Sequence, residues 1–133
     1  MKIIDYFLYN FLIGNADAHA KNFSIVEIGG ERSIAPIYDA MSTAVYPNVV
    51  NSMAMNIGGK YEYPEVTRND FVDLAMKCDI SIKAILSRLD ALAAELPRIG
   101  RDLVAEMSDE GHPSKVYDEI LGVVNRHIEQ TKA

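Results

Sequence analysis

The amino-acid sequence predicts a mainly α-helical domain that carries a small β-hairpin near its N-terminal end. Three observations support this fold class. Apolar residues recur at helical spacing over residues 2–13, β-forming segments then flank a Gly-Gly turn, and four further helical patterns follow from residue 67 onward. This order is typical of a helical bundle with a small β insertion.

The composition is that of one ordinary globular domain. The chain has 133 residues, of which 49% are hydrophobic and 24% are charged. The net charge is -6 and the 13 Lys and Arg residues are scattered, so we expect no direct binding to nucleic acid. The only cysteine, Cys78, is expected to be buried, and no apolar run approaches the roughly 20 residues of a membrane span. We therefore expect a cytoplasmic protein that does not enter a membrane.

The first helix is predicted over residues 2–13. Five apolar residues share one face at spacings of three and four: Ile4, Phe7, Leu8, Phe11 and Leu12. Gly14, directly after them, is a typical helix stop. We expect this buried helix to hold the polar residues that follow from inside the core.

A hairpin is predicted next, from residues 23–28 and 32–35 on either side of a Gly-Gly turn. Its return strand is expected to bring Asp39 back toward Asn22. Farther along, residues 52–57 are a candidate strand and residues 58–60, Gly-Gly-Lys, are interpreted as a turn rather than a phosphate site.

The second half of the chain is predicted to be helical. A capping pair, Thr67 and Asp70, begins one helix, a second covers residues 81–96, and the last covers residues 114–130. Pro97 is expected to separate the second helix from a weaker one over residues 98–107. We expect two side chains to be exposed: Tyr63, shortly before the first of these helices, and His127, in the last of them.

The polar segment 14–22 concentrates reactive groups. Asp17, His19, Lys21 and Asn22 lie within six positions, and the predicted hairpin adds Asp39. A carboxylate able to accept a hydroxyl proton, hard oxygen ligands for magnesium and a cationic helper are what phosphoryl transfer requires. Asp17 to Asn22 also has the Asp-x-x-x-x-Asn spacing of kinase catalytic loops. Asp17 is thus a candidate base, Asn22 and Asp39 candidate metal ligands, and His19 or Lys21 the helper.

Three blocks of sequence extend this interpretation to a family. They are Gly-Asn-Ala-Asp-Ala-His-Ala-Lys-Asn-Phe-Ser at 14–24, Ala-Pro-Ile-Tyr-Asp-Ala-Met-Ser-Thr at 35–43, and Met-Ala-Met-Asn-Ile-Gly-Gly-Lys at 53–60. In this order they resemble the C-terminal lobe of HipA-like serine/threonine toxin kinases, and the resemblance runs to about residue 96. The Asp-x-His-x-x-Asn form is also similar to the catalytic loop of phosphatidylinositol kinases.

The resemblance implies a protein-kinase-like C-terminal lobe and a role for each residue. Residues 1–133 would form one lobe: catalytic loop 14–22, β-hairpin 23–36, metal-binding segment 37–43 and helical bundle 67–131. It implies Asp17 as the catalytic base and Asn22 and Asp39 as ligands of Mg²⁺. From the chemistry of the loop we further expect His19 to be catalytic and Lys21 and Asn22 to contact the nucleotide. The resemblance also implies ATP as phosphoryl donor, a protein substrate such as an aminoacyl-tRNA synthetase, and a DNA-binding antitoxin as partner.

The chain also departs from that family. Only 13 residues precede Gly14, so the nucleotide-binding lobe of such kinases is expected to be absent. A kinase needs both halves of its cleft, and we expect this chain alone to transfer phosphate poorly. The face that the missing lobe would cover is expected to be apolar and to favour self-association.

Two other functions stay open from the sequence. One is a non-catalytic remnant or binding module that engages an antitoxin or another protein. The other is a metal-dependent hydrolase using Asp17, His19 and Asp39, which is disfavoured because the cluster holds one His and no paired His motif. Asn15 is interpreted here as a turn residue.

Overall fold

The computed structural model describes residues 2–132 and confirms the mainly α-helical fold. The helices are α1 (Lys2–Ile13), α2 (Arg68–Lys77), α3 (Ile82–Asp109) and α4 (Lys115–Gln130). The strands are β1 (Ile25–Ile28), β2 (Glu31–Ile34), β3 (Ser52–Ile57) and β4 (Lys60–Glu62). Single 3₁₀ turns lie at Ala20–Asn22, Thr43–Val45 and Tyr63–Glu65.

The strands form two separate antiparallel hairpins, β1–β2 and β3–β4. The first is the predicted one, with Ile25 opposite Ile34 and a tight turn between β1 and β2. The second corrects the sequence prediction, which placed a strand and a turn here but no second strand. Gly58 and Gly59, with φ of +61° and +90°, reverse the chain so that Lys60 pairs with Ile57. Three exposed or half-exposed residues are too few for β4 to show an alternating pattern.

Helix α1 lies at the centre of the core. It packs against α3 and α4, and α2 packs against α3. Two leucines of α1, Leu8 and Leu12, are completely buried. They share the core with buried residues of every other helix, namely Phe71, Ala75, Ile85, Leu89, Val124 and Ile128. The predicted burial of α1 is confirmed, so the loop that follows it starts from a fixed point.

An aromatic stack joins α1 to α4, and it shows that the predicted exposure of Tyr63 and His127 was wrong. The His127 ring lies parallel to that of Tyr63, with centroids 4.6 Å apart, and 5.3 Å from that of Phe11. Its Nδ1 lies 3.0 Å from the carbonyl oxygen of Phe11 and 3.3 Å from that of Leu12. These carbonyls belong to the last turn of α1, where the regular helical hydrogen bonds end, and the His127 ring provides a buried hydrogen-bond partner for them. Burial lowers the pKa of His127, against the opposing effect of these hydrogen bonds.

The third helix runs without a break through Pro97, which corrects the predicted separation. Proline removes one backbone hydrogen bond, but packing on both sides holds the helix together. Beyond the proline, Gly100 lies so close to Leu121 that a Cβ would stand 2.6 Å from its Cδ2. None of the helices within residues 2–132, α3 included, is long and apolar enough to cross a membrane.

The Gly-Gly-Lys turn is structural, as predicted. Lys60 Nζ donates to Asp70 Oδ2 at 3.1 Å and to the Glu65 carbonyl at 2.7 Å. Asp70 also forms the predicted capping box with Thr67 at the start of α2. Burial raises the pKa of Asp70, but the hydrogen bonds from Thr67 and Lys60 outweigh it and hold that pKa below its usual value. At the other end of α2, Cys78 is exposed rather than buried because the helix ends there.

The buried imidazole makes stability depend on pH. The folded pKa of His127 lies below the unfolded value of about 6.5. The stability contributed by the neutral buried ring is therefore complete above about pH 6.5, and it is lost as the pH falls below that value and through the folded pKa. Urea unfolding at pH 7.5 and 5.5 should show a lower free energy of unfolding at pH 5.5. His127→Phe keeps a stacked ring without the donor, so it should lose about 1–3 kcal/mol at pH 7.5 and narrow the pH difference.

The exposed His112, in the turn between α3 and α4, provides the matched control. His112→Gln should keep the wild-type stability at both pH values. An unchanged pH difference in His127→Phe would contradict the assignment of this effect to the buried ring.

Candidate active site

The polar segment 14–22 begins at a closed helix end. The Asn15 N–H donates to the Asn10 carbonyl at 2.9 Å and the Gly14 N–H to the Phe11 carbonyl at 3.0 Å. This is the Schellman arrangement, and it requires the left-handed φ of +72° that Gly14 adopts. A Cβ at Gly14 would stand 2.8 Å from both Ala44 Cβ and Val123 Cγ1. Only glycine therefore fits here, and the direction in which the loop leaves α1 is fixed.

A buried threonine holds the same loop from the other side. Thr43 Oγ1 accepts from the Ala16 N–H at 2.8 Å and donates to the Gly14 carbonyl at 3.0 Å. The Ala44 N–H donates to that carbonyl as well, at 3.1 Å. Thr43 is only 4% exposed, so these bonds are shielded from water. The loop and the segment around Thr43 thus form one unit, although 27 residues separate their bonded positions.

The carboxamide of Asn15 joins the two segments that carry Asp17 and Asp39. Its Oδ1 accepts from the Asp17 N–H at 3.2 Å. Its Nδ2 donates to the Asp39 carbonyl at 3.1 Å and to Asn10 Oδ1 at 2.8 Å. Asn15 is 4% exposed and every polar group of its side chain is used. Asn15 is therefore more than the turn residue that the sequence indicated.

The backbone around Asp39 is held in an uncommon conformation. Asp39 has a φ of +54°, which a non-glycine residue adopts at some energetic cost. On one side the Asn15 carboxamide binds its carbonyl. On the other, the Tyr38 hydroxyl donates to the Lys21 carbonyl at 3.1 Å and lies 2.8 Å from Ser24 Oγ. The hairpin thus returns the chain to the polar loop, as the sequence predicted.

The reactive side chains stand on this scaffold. Asp17 is exposed, and its Oδ1 lies 3.9 Å from Nε2 of the half-buried His19. Asn22 donates through Nδ2 to the Asp17 carbonyl at 3.1 Å, which leaves its Oδ1 available to a ligand. Lys21 is exposed, in the 3₁₀ turn Ala20–Asn22.

The available ligands fit magnesium better than zinc. Within residues 2–132 no three His, Cys, Asp or Glu side chains are grouped so that they can hold a metal ion. Magnesium, in contrast, is commonly bound through one or two carboxylates, with phosphates and waters completing its shell. The free Oδ1 of Asn22 and the exposed carboxylate of Asp39 are oxygen donors of that kind.

The residues that position the site were the hardest to identify from the sequence. Asn15 and Thr43 act through partners 24 and 27 residues away, which no local pattern reveals. The available signal was the presence of Asn15 beside Asp17 and of Thr43 four positions after Asp39.

Comparison with known proteins gives the same picture. The protein Y4mE of Sinorhizobium fredii, which is named as a kinase, is 29% identical to this chain over 126 residues. These residues are 92% of this chain and 30% of that protein. The serine/threonine-protein kinase toxin HipA of Shewanella oneidensis is 25% identical over 96 residues, which are 72% of this chain and 22% of that protein.

A solved structure, the complex of Shewanella oneidensis HipA with HipB and operator DNA, contains a chain of the same fold. The TM-score is 0.85 at 20% sequence identity, over 98% of this chain and 31% of that one. The present chain therefore spans less than a third of the length of these relatives. The sequence model of one family, the HipA-like C-terminal domain, matches residues 1–99. The chain belongs to the HipA-like C-terminal domain family.

Proposed function

We propose that this chain is the catalytic lobe of a serine/threonine protein kinase that transfers phosphate from ATP to a protein hydroxyl. The observation that carries the proposal is the buried Asn15 carboxamide. It binds the backbone of Asp17 and of Asp39 at once, so the candidate base and the candidate metal ligand are held by one group. The kinase names of two relatives support the reaction class.

Each site residue receives a role in this proposal. Asp17 accepts the proton of the attacking hydroxyl, and its exposure leaves it open to an incoming substrate. Asn22 and Asp39 hold magnesium through oxygen atoms, and Lys21 contacts the nucleotide. His19, beside Asp17, orients that carboxylate or the acceptor. When bound, magnesium with ATP supplies the phosphoryl group and the positive charge that balances it.

The proposed partners follow from the relatives. The Shewanella oneidensis HipA structure is a complex with HipB and operator DNA, which supports an antitoxin as a partner of this chain too. An aminoacyl-tRNA synthetase is the proposed class of substrate, and self-association through the face that a nucleotide-binding lobe would cover is also proposed. Because the chain spans less than a third of its relatives, we expect little transfer by this stretch alone.

A binding module is the second candidate function. It is favoured by one observation, that a HipA relative assembles with HipB. The two functions differ in what they require of Asp17, because binding of a partner elsewhere does not need a proton acceptor.

Magnesium–ATP binding tests the metal site. Calorimetry on the chain should detect binding that Asp39→Ala abolishes, because the substitution removes a carboxylate ligand. Asp79→Ala is the matched control, since Asp79 is an exposed aspartate with a similar φ of +53° in the turn after α2. It should bind as the wild type does. Equal loss in both variants would indicate an effect of the backbone and would count against the metal role.

Asn15→Ala tests the positioning of Asp39. The change leaves the Asp39 carbonyl and the Asp17 N–H without their partner, so magnesium–ATP affinity should fall about tenfold or more. Thr43→Val is the control, because it removes equally buried hydrogen bonds that do not reach Asp39. If both variants lose stability and affinity in the same proportion, Asn15 has no special part in holding Asp39.

Asp17→Asn separates the kinase from the binding module. The chain would replace the matching 126 residues of the Sinorhizobium fredii relative, and the resulting chimera would be assayed for phosphoryl transfer. Loss of the proton acceptor should reduce kcat by about 10²- to 10⁴-fold with little change in the KM for ATP. Asp79→Asn should leave kcat unchanged. A partner-binding chain that is indifferent to Asp17→Asn, and a chimera whose kcat does not fall, would favour the binding module.

A further inference from the structure

Asp17 lies at a groove that has no role in the proposed function so far. It has a volume of about 440 Å³ and lies between the polar loop, the segment after Asp39 and the strand β3. Its walls carry four large apolar side chains that are exposed to solvent: Met41, Tyr46, Val49 and Val50. Small or polar residues complete the walls: Ala16, Thr43, Ser52 and Ala54.

The groove is held in shape by backbone bonds. The Ala54 N–H of β3 donates to the Ala16 carbonyl at 2.9 Å, which fixes β3 beside the loop. The opposite wall is a chain of turns, in which the Tyr46 N–H donates to the Thr43 carbonyl and the Val49 N–H to the Tyr46 carbonyl. Thr43 in turn binds the loop directly. A preformed concave surface of this kind is what ligand sites share.

The exposure of these side chains is unusual in its clustering. Val50 is 80% exposed and Met41 is 50% exposed, and both border the same groove. Single exposed apolar residues are ordinary on protein surfaces, but a contiguous group beside a reactive carboxylate indicates a binding surface. We therefore expect the groove to bind an apolar group.

The charge of the groove indicates which of the two substrates, the nucleotide or the acceptor, it binds. Among the described residues that line it, Asp17 is the only charged one, and Lys21, Asn22 and Asp39 are not among them. A triphosphate would meet a carboxylate here and no cation, so the nucleotide does not belong in it. The acceptor must instead bring its hydroxyl within hydrogen-bonding distance of Asp17, and the groove begins at that residue.

We propose that this groove binds the acceptor segment of the protein substrate, an extended peptide with large apolar side chains next to its serine or threonine. The inference rests on the proposed function, since it takes Asp17 as the proton acceptor. The apolar side chains of the peptide occupy the groove and the neighbouring hydroxyl reaches Asp17. Acidic residues at the same peptide positions are excluded by the apolar walls and by the Asp17 carboxylate.

Binding of two synthetic peptides to the full chain tests this assignment. Fluorescein-labelled Gly-Ala-Ala-Ser-Leu-Leu-Ala-Gly and Gly-Ala-Ala-Ser-Asp-Asp-Ala-Gly are titrated by fluorescence anisotropy, without nucleotide. The first peptide should bind saturably, and the second at least roughly fivefold more weakly, because its carboxylates gain nothing from apolar walls. Equal binding of the two, or no binding of the first, overturns the proposal.

A matched pair of substitutions locates the binding. Val50→Asp places a carboxylate in the groove, and Ile28→Asp places one on the β1–β2 hairpin, where the side chain is similarly exposed, at 78% against 80%. Neither residue is part of the core, so both variants should fold. Val50→Asp should weaken binding of the apolar peptide roughly fivefold or more, and Ile28→Asp should leave it unchanged. The same affinity in both variants places the peptide elsewhere and overturns the proposal.

Two further measurements separate this inference from its alternatives. Sedimentation of the wild type and of Val50→Asp shows whether a second copy of the chain fills the groove; a dimer that Val50→Asp dissociates overturns the proposal. Asp39→Ala should keep wild-type peptide binding while losing magnesium–ATP. Peptide selectivity without any magnesium–ATP binding would support the groove as a peptide site and contradict the proposed metal site of this chain, whereas the reverse result would refute the groove alone. The kinase function itself is tested separately, by Asp17→Asn in the chimera with the Sinorhizobium fredii relative.

Discussion

At Gly14 the chain leaves α1 with a φ of +72°, and the position of a Cβ is already filled by Ala44 and Val123. Every feature of the candidate site depends on this contact. It brings the loop against the segment around Thr43 on one side and against α4 on the other. His127 of α4 secures the same helix end through the carbonyls of Phe11 and Leu12. The polar loop is therefore mounted on the core, although its reactive side chains reach solvent.

Beyond this fixed helix end, the Asn15 carboxamide holds the two segments that carry the reactive side chains. Asn15 is the next residue after Gly14, and it is as deeply buried as the core around it. Its bonds to the backbone of Asp17 and Asp39 fix both segments at once, and they offset the cost of the left-handed backbone at Asp39. A buried, fully satisfied polar group of this kind specifies one arrangement, because any other would leave donors and acceptors unpaired. The scaffold is thus preorganised even though the side chains it presents are exposed or partly exposed to solvent.

Local patterns predicted the features that local physics determines. The apolar face of α1, its stop at Gly14, the Thr67 capping box and the Asp17-to-Asn22 spacing are all set by residues within a few positions of one another. Several of the features that escaped prediction depend on distant partners. His127 lies three and four positions beyond Val124 and Val123, on the apolar face of α4, yet its burial depends on a stack with Phe11 and Tyr63. The continuity of α3 through Pro97 likewise depends on packing against α4, beyond the reach of helix propensity.

The remaining requirement of the proposed reaction is electrostatic rather than geometric. The Asp17 side chain is 71% exposed, and its 3.9 Å approach to His19 is largely solvated. In general, a carboxylate and a cation about 4 Å apart interact by only about 1 kcal/mol in water, against about 4 kcal/mol at an effective dielectric constant of 20. The electrostatic interactions of Asp17 therefore reach full strength only when water is displaced from both of its sides. On the proposed assignments, the acceptor peptide covers the apolar groove and the nucleotide covers the side of Asn22 and Asp39. The lobe would then contribute the fixed geometry, and its two substrates would create the low-dielectric environment in which that geometry becomes effective.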